Sequence, residues 1–128
     1  MQVLVTGGLG YIGSHTSVLL LEKGYDLVIV DDLSNSNEKV IENISQITNK
    51  VPVFEKIDLK DKESVSKLFN NYDFDGIIHF AAHKSVNESV NYPDKYFKNN
   101  VGSLENIIYE IQKLKKPMNF IFSSSCTV

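Results

Sequence analysis

Val3-Leu4-Val5-Thr6-Gly7-Gly8-Leu9-Gly10-Tyr11-Ile12-Gly13 decides the fold, because glycines recur at every third position where an apolar strand gives way to a helix. Gly7 permits a sharp exit from the strand, Gly10 lets the backbone approach a pyrophosphate with no Cβ in the way, and Gly13 allows close packing of helix on strand. The free N–H groups of the first helical turn then face phosphate. Glycine triplets also occur in ordinary turns, so the flanking sequence has to decide. A second apolar run, Asp26 to Val30, ends in Asp31, close to the ~20-residue separation expected between such glycines and a ribose-binding carboxylate. Between them Ile12, Thr16, Leu19, Leu20 and Lys23 fall at helical spacing and the pattern stops at Gly24, a natural residue after a helix end. Strand, glycine turn, helix, strand and acid appear in that order.

Outward from this unit, strand-like runs recur at residues 2–6, 26–31, 51–57, 76–81 and 118–123, each pair separated by a helical pattern. Such alternation means parallel β/α units. Val40, Ile41, Ile44 and Ile47 make one stripe, and Asp61 is placed to cap a helix that turns Val65, Leu68 and Phe69 inward. The fourth connection reads as the longest helix, with Pro93 in its first turn and Phe97, Val101, Leu104, Ile108 and Ile111 as its apolar stripe. Right-handed crossovers with a reversal at the first strand give a Rossmann-type, doubly wound parallel sheet in the order 3-2-1-4-5, with a cleft beside strands one and four. Residues 1–128 are expected to form one dinucleotide-binding domain, truncated after its fifth strand, whose edge another chain or further sequence would cover.

Thirteen basic against 16 acidic residues, with no basic block beyond Lys113, Lys115 and Lys116, give no nucleic-acid surface. No basic N-terminal segment precedes an apolar one, and Val18 to Leu21 is too short to span a bilayer, so a soluble cytoplasmic protein with no membrane partner is expected. The single cysteine, Cys126, excludes an internal disulfide framework and reads as a small packed residue.

Asp31 is the clearest specificity determinant. A carboxylate there accepts hydrogen bonds from both adenosine ribose hydroxyls and repels a 2′-phosphate, which favours NAD over NADP. Asp32 reads equally as a second source of that repulsion and as an Asx turn before Ser34-Asn35-Ser36. Asp58-Leu59 reads either as a polar and an apolar flank for adenine or as turn chemistry between Ile57 and Asp61. In His79-Phe80-Ala81-Ala82-His83-Lys84, the two alanines let backbone approach the cofactor and Lys84 reaches a ribose or phosphate; His79 is expected to be satisfied inside the sheet, and His83 to lie on the loop surface. No metal-ligand spacing occurs around either histidine. Ser123, Ser124 and Ser125 leave the last strand where open α/β sheets place their reacting groups, either as hydrogen-bond donors to a ligand or as a polar strand exit.

These residues together resemble the N-terminal part of the UDP-glucose 4-epimerases, within the extended short-chain dehydrogenase/reductase family. The resemblance rests on Val3 to Thr16, Asp31 to Ser36, His79 to Val90 with Lys84 and Glu88-Ser89-Val90, Asn99-Asn100-Val101 and Phe120 to Val128. It implies a tightly bound NAD that takes hydride from carbon four of a UDP-hexose and returns it to the other face of a 4-keto intermediate. By position it implies that Gly7, Gly10, Tyr11 and Ile12 hold the pyrophosphate. The ribose would fall to Asp31, Asp32, Leu33, Ser34, Asn35 and Ser36, and the adenine to Asp58 and Leu59. Phe80, Ala81, Ala82, His83, Lys84, Asn99 and Ser123 would line the ribose and nicotinamide side. Ser125 would match the active-site serine that hydrogen-bonds the reacting hydroxyl. The family's catalytic Tyr-x-x-x-Lys pair and its UDP-sugar domain would lie beyond Val128, so the chain alone is expected not to turn over UDP-glucose or UDP-galactose. A homodimer is expected for the intact enzyme. A non-catalytic NAD-binding or interaction module is the alternative reading.

Overall fold

The computed structural model describes residues 1–82 and 86–123. Five parallel strands, β1 (Gln2–Thr6), β2 (Asp26–Asp31), β3 (Val53–Lys56), β4 (Gly76–His79) and β5 (Asn119–Phe122), form one sheet in the order β3-β2-β1-β4-β5. The order is the one expected from right-handed crossovers. β1 pairs with β2 from Gln2 opposite Asp26 to Thr6 opposite Val30, and with β4 from Val3 opposite Gly76 to Thr6 opposite His79. The order in which strands are added therefore switches from one side of β1 to the other, and the C-terminal ends of β1 and β4 border the cleft where open α/β sheets bind ligands.

Central strands buried on both faces need apolar residues on both sides of the pleat, and β1 and β2 supply them. Val3, Val5, Leu27 and Ile29 pack with Leu21 and Ile44 on one face, beneath α1 (Tyr11–Glu22) and α2 (Lys39–Thr48). Leu4, Val28, Val30 and Ile77 pack with Val65, Leu68, Phe69 and Ile107 on the other, beneath α3 (Lys62–Asn71) and α6 (Gly102–Lys113). Each such side chain contributes about 1.5–3 kcal/mol on burial. Asp61 caps α3 as expected, accepting from the Glu63 N–H at 3.2 Å and from the Ser64 hydroxyl at 2.6 Å.

Two helices turn differently from the sequence expectation. α1 buries Gly13, Ser17 and Leu21, leaving Ile12 and Leu19 exposed. Its small-residue face has to lie close against the glycine turn, which outweighs the apolar stripe. The fourth connection is not one long helix: α4 (Val86–Asn91), α5 (Pro93–Tyr96) and a π-helical turn (Phe97–Val101) precede α6. Its inward side carries Tyr96, Asn99, Ser103, Asn106, Ile107 and Glu110. Phe97, Val101 and Ile108, expected to face the core, are exposed. The inward side meets a cavity and a loop carbonyl, so polar residues find partners there.

His79, at the end of β4, is 2 % exposed. As expected, it is satisfied within the sheet: its Nδ1 lies 2.7 Å from the Thr6 hydroxyl, and its ring lies beside those of Phe120 and Phe122 on the neighbouring strand. Burial lowers its pKa to about 4. Because the unfolded chain takes up this proton near pH 6.5 and the folded chain does not, the neutral ring's stabilisation is complete above that pH. It is lost at about 1.4 kcal/mol per pH unit as the pH falls from about 6.5 to about 4. Chemical unfolding of His79→Gln alongside the parent chain should show a shallower fall in stability over that window, and parallel profiles would refute the assignment.

Candidate functional site

Beyond β1 the backbone turns at Gly7, whose φ of 65° suits glycine and whose N–H donates to the Val30 carbonyl at 2.8 Å. A Cβ on Gly7 would stand 2.8 Å from the Ala81 nitrogen, so the turn lies directly against the segment leaving β4. α1 starts immediately afterwards, with Gly10 as an extended N-cap residue that offers no side-chain cap. The N–H groups of the first helical turn are thus left to another acceptor. Gly13 brings α1 onto this turn: a Cβ there would meet the Gly7 carbonyl oxygen at 2.2 Å.

The turn forms the floor of a cavity of about 510 Å³. Gly7, Gly10, Tyr11, Ile12 and Gly13 line it from the glycine turn and α1; Asp31, Asp32, Ser34, Asn35 and Ser36 line it from beyond β2. Ile57, Asp58 and Leu59 line it from beyond β3, Phe80, Ala81 and Ala82 from beyond β4, and Glu88, Tyr96, Asn99 and Ser103 from the fourth connection. All come from the C-terminal side of the sheet, as the topology requires. Asp31, Asp32, Asp58 and Glu88 are its charged described lining residues, and no Lys or Arg is among them.

Asp31 organises the wall beyond β2. One carboxylate oxygen accepts from the Leu9 N–H at 3.2 Å; the other accepts from the Leu33 N–H at 3.0 Å and the Ser36 hydroxyl at 2.7 Å. The acid joins the glycine turn to the 31–36 loop. Asp32 forms the Asx turn of one of its two readings, accepting from the Ser34 N–H at 2.9 Å and the Ser34 hydroxyl at 2.7 Å, and it also lines the cavity, as the other requires. Leu33 stands off the wall: its side chain packs against the β1–β2 core, and only its N–H serves the loop. Ser123 likewise lies off the wall, its N–H donating to the His79 carbonyl at 3.2 Å. His83, Lys84 and Ser125 fall outside the described residues, as do Ser124 and Cys126.

Ile57, Glu88, Tyr96 and Ser103 line the site without any expectation of it from the sequence. Tyr96 and Ser103 were within reach of sequence reasoning, because they share a helical face with Asn99. Glu88 is held by an ion pair with Lys95 and accepts from the Tyr96 hydroxyl at 3.1 Å. The spacing Tyr-x-x-x-Lys occurs once in the chain, at Tyr109 and Lys113. This pair does not line the cavity. Tyr109 is 61 % exposed, and the Lys113 ammonium lies over its ring at 5.3 Å while pairing with Glu110.

Among the described residues no group of His, Cys, Asp and Glu forms a metal site, and no helix is long and apolar enough to cross a membrane. The family model for GDP-mannose 4,6 dehydratase matches residues 4–128. The chain belongs to this family. Within it, the chain is 50% identical to the UDP-glucose 4-epimerase of Schizosaccharomyces pombe over 98% of its own length and 35% of that protein. A UDP-glucose-4-epimerase from Stenotrophomonas maltophila, crystallised with NAD and formylated UDP-arabinopyranose, superposes with a TM-score of 0.93 at 43% identity. One from Bifidobacterium longum, in complex with NAD+ and UDP, does so with 0.95 at 40% identity. The chain is covered completely in both cases, and spans 38% of each of those structures. The expected resemblance to the N-terminal part of the 4-epimerases therefore holds, as does the Rossmann-type fold.

Proposed function

We propose that this chain binds NAD and forms the cofactor-holding part of a UDP-hexose 4-epimerase that interconverts UDP-glucose and UDP-galactose. Asp31 carries the reading: a carboxylate at the end of β2, beside an uncapped helix start, in a cavity whose described wall holds acidic but no basic side chains. Such a wall suits two ribose hydroxyls and opposes a 2′-phosphate. The glycine cradle fits the group as well, since α1 comes close enough to the turn that a side chain at position 13 has no room.

In this reading Gly7, Gly10, Tyr11 and Ile12 present backbone to the pyrophosphate, and Asp31, with Asp32, Ser34, Asn35 and Ser36, takes the adenosine ribose. Asp58 and Leu59 flank the adenine; Phe80, Ala81, Ala82 and Asn99 border the nicotinamide side. Lys84 and His83 complete that side, and Ser125 hydrogen-bonds the reacting hydroxyl. Bound NAD supplies a hydride acceptor and donor for carbon four of the sugar. The tyrosine base, its lysine and the UDP-sugar wall are supplied by sequence outside residues 1–128, so these residues alone hold cofactor without turning over substrate. The exposed Phe97, Val101 and Ile108 support pairing of two chains along the π-helical turn and α6, read as a two-chain mass in light scattering; a monomer at high concentration would argue against it.

Amide-resolved NMR tests the cofactor reading. Adding NAD is expected to shift the amides of the glycine turn, the 31–36 loop and Leu59 together, with saturation. Shifts scattered over other surfaces, or none, would overturn it.

A further inference from the structure

Asn106 lies on the inward side of α6, 8 % exposed, and donates from Nδ2 to the Leu59 carbonyl at 2.8 Å across 47 residues of chain. A buried amide left without a partner is costly, whereas an apolar side chain would pack at this position for nothing. The value of the amide lies in what it holds. The peptide unit that begins at the Leu59 carbonyl ends at the Lys60 N–H, and that N–H donates to an Asp58 carboxylate oxygen at 3.0 Å. One rigid peptide plane is therefore gripped at both ends, by Asn106 from α6 and by Asp58 from the loop. The turn's other bonds, Asp61 N–H to the Asp58 carbonyl at 3.0 Å and Ile57 N–H to the Asp31 carbonyl at 3.2 Å, fix the chain on either side but leave this plane alone. The Lys60 ammonium, 3.8 Å from the other Asp58 oxygen, is an exposed partner that imposes little direction.

We propose that Asn106 is a positioning residue for the adenine end of the cavity, setting the Asp58 carboxylate through the Leu59–Lys60 peptide. The inference rests on the cofactor reading and sharpens it into a base preference. A carboxylate fixed at Asp58 accepts from the 6-amino group of adenine and repels the 6-carbonyl of hypoxanthine, whose lone pairs face it. The chain should therefore bind NAD about tenfold more tightly than nicotinamide hypoxanthine dinucleotide.

Asn106→Leu keeps the bulk and removes the donor; Asn106→Asp keeps the shape and sets an oxygen against the Leu59 carbonyl. In both, calorimetric titration should find the preference for NAD over the hypoxanthine analogue reduced to about twofold or less. A residue needed only for packing would weaken both ligands together and leave their ratio at about ten. A ratio unchanged in a folded variant overturns the proposal. Should neither variant fold, the parent chain decides: AMP is expected to shift the Asn106 side-chain amide resonance and nicotinamide mononucleotide is not, and equal responses overturn the proposal. A parent chain that binds neither NAD nor AMP removes the cofactor reading and this inference with it, whereas binding with an unaltered variant ratio removes this inference alone.

Discussion

Asp31→Asn is expected to abolish the chain's preference for NAD over NADP, bringing two affinities that differ by about a hundredfold to within about threefold of each other. In the parent chain the carboxylate accepts from the Leu9 N–H, the Leu33 N–H and the Ser36 hydroxyl, so it is held in place before any ligand arrives. A fixed charge discriminates better than a mobile one, because it cannot withdraw from a 2′-phosphate. Asparagine has nearly the same shape and keeps one accepting oxygen for this network, while the charge is gone. NAD should lose about tenfold, since a hydrogen bond to a charged acceptor is worth about 1.5–3 kcal/mol and a neutral one about half as much. NADP should gain. Calorimetric titration with the two dinucleotides measures both, and an unchanged ratio would move the discrimination to Asp32 or elsewhere.

Gly13→Ala is expected to cost about 3 kcal/mol, lowering the thermal midpoint by about 10 °C, and to remove NAD binding from the measurable range. The new methyl would stand 2.2 Å from the Gly7 carbonyl oxygen and 2.9 Å from the Gly8 Cα. Both are backbone atoms of the turn that lines the cavity, so relief requires α1 or the turn itself to move. Gly10→Ala provides the contrast, because its Cβ meets only the Gly7 carbonyl oxygen, at 3.3 Å. That variant should melt within about 3 °C of the parent while losing NAD affinity, its methyl group occupying ligand space rather than protein space. If Gly13→Ala retained both its midpoint and its affinity, the close approach of α1 to the turn would not be what shapes the site.

The parts of the fold legible in the sequence are those whose determinants are local. β1, the glycine turn and the end of β2 at Asp31 sit within one βαβ unit, where backbone conformation and apolar runs speak directly to structure. The alternation of strands and helices then leaves little choice of topology. Helix orientation was less legible, because apolar periodicity says which residues are alike and not which way they face. Along the π-helical turn and α6 the stripe Phe97, Val101 and Ile108 points outward, while Asn99, Ser103 and Asn106 point inward at a cavity and the Leu59 carbonyl. Polar residues on an inward face become readable once the partner is known, and that partner lies 47 residues away. The Tyr109…Lys113 spacing shows the opposite hazard: a motif present in sequence, on a helix face that does not reach the site.

The central claim is that these residues form an NAD site built on the glycine turn and Asp31, and an amide-resolved NMR titration of the 128-residue chain tests it most directly. NAD should produce saturable shifts centred on the turn from Gly7 to Gly13, the loop from Asp31 to Ser36, Leu59 and Ala81, while NADP at the same concentrations leaves them nearly unmoved. No response to NAD at these amides, or an equal response to both dinucleotides, would contradict it.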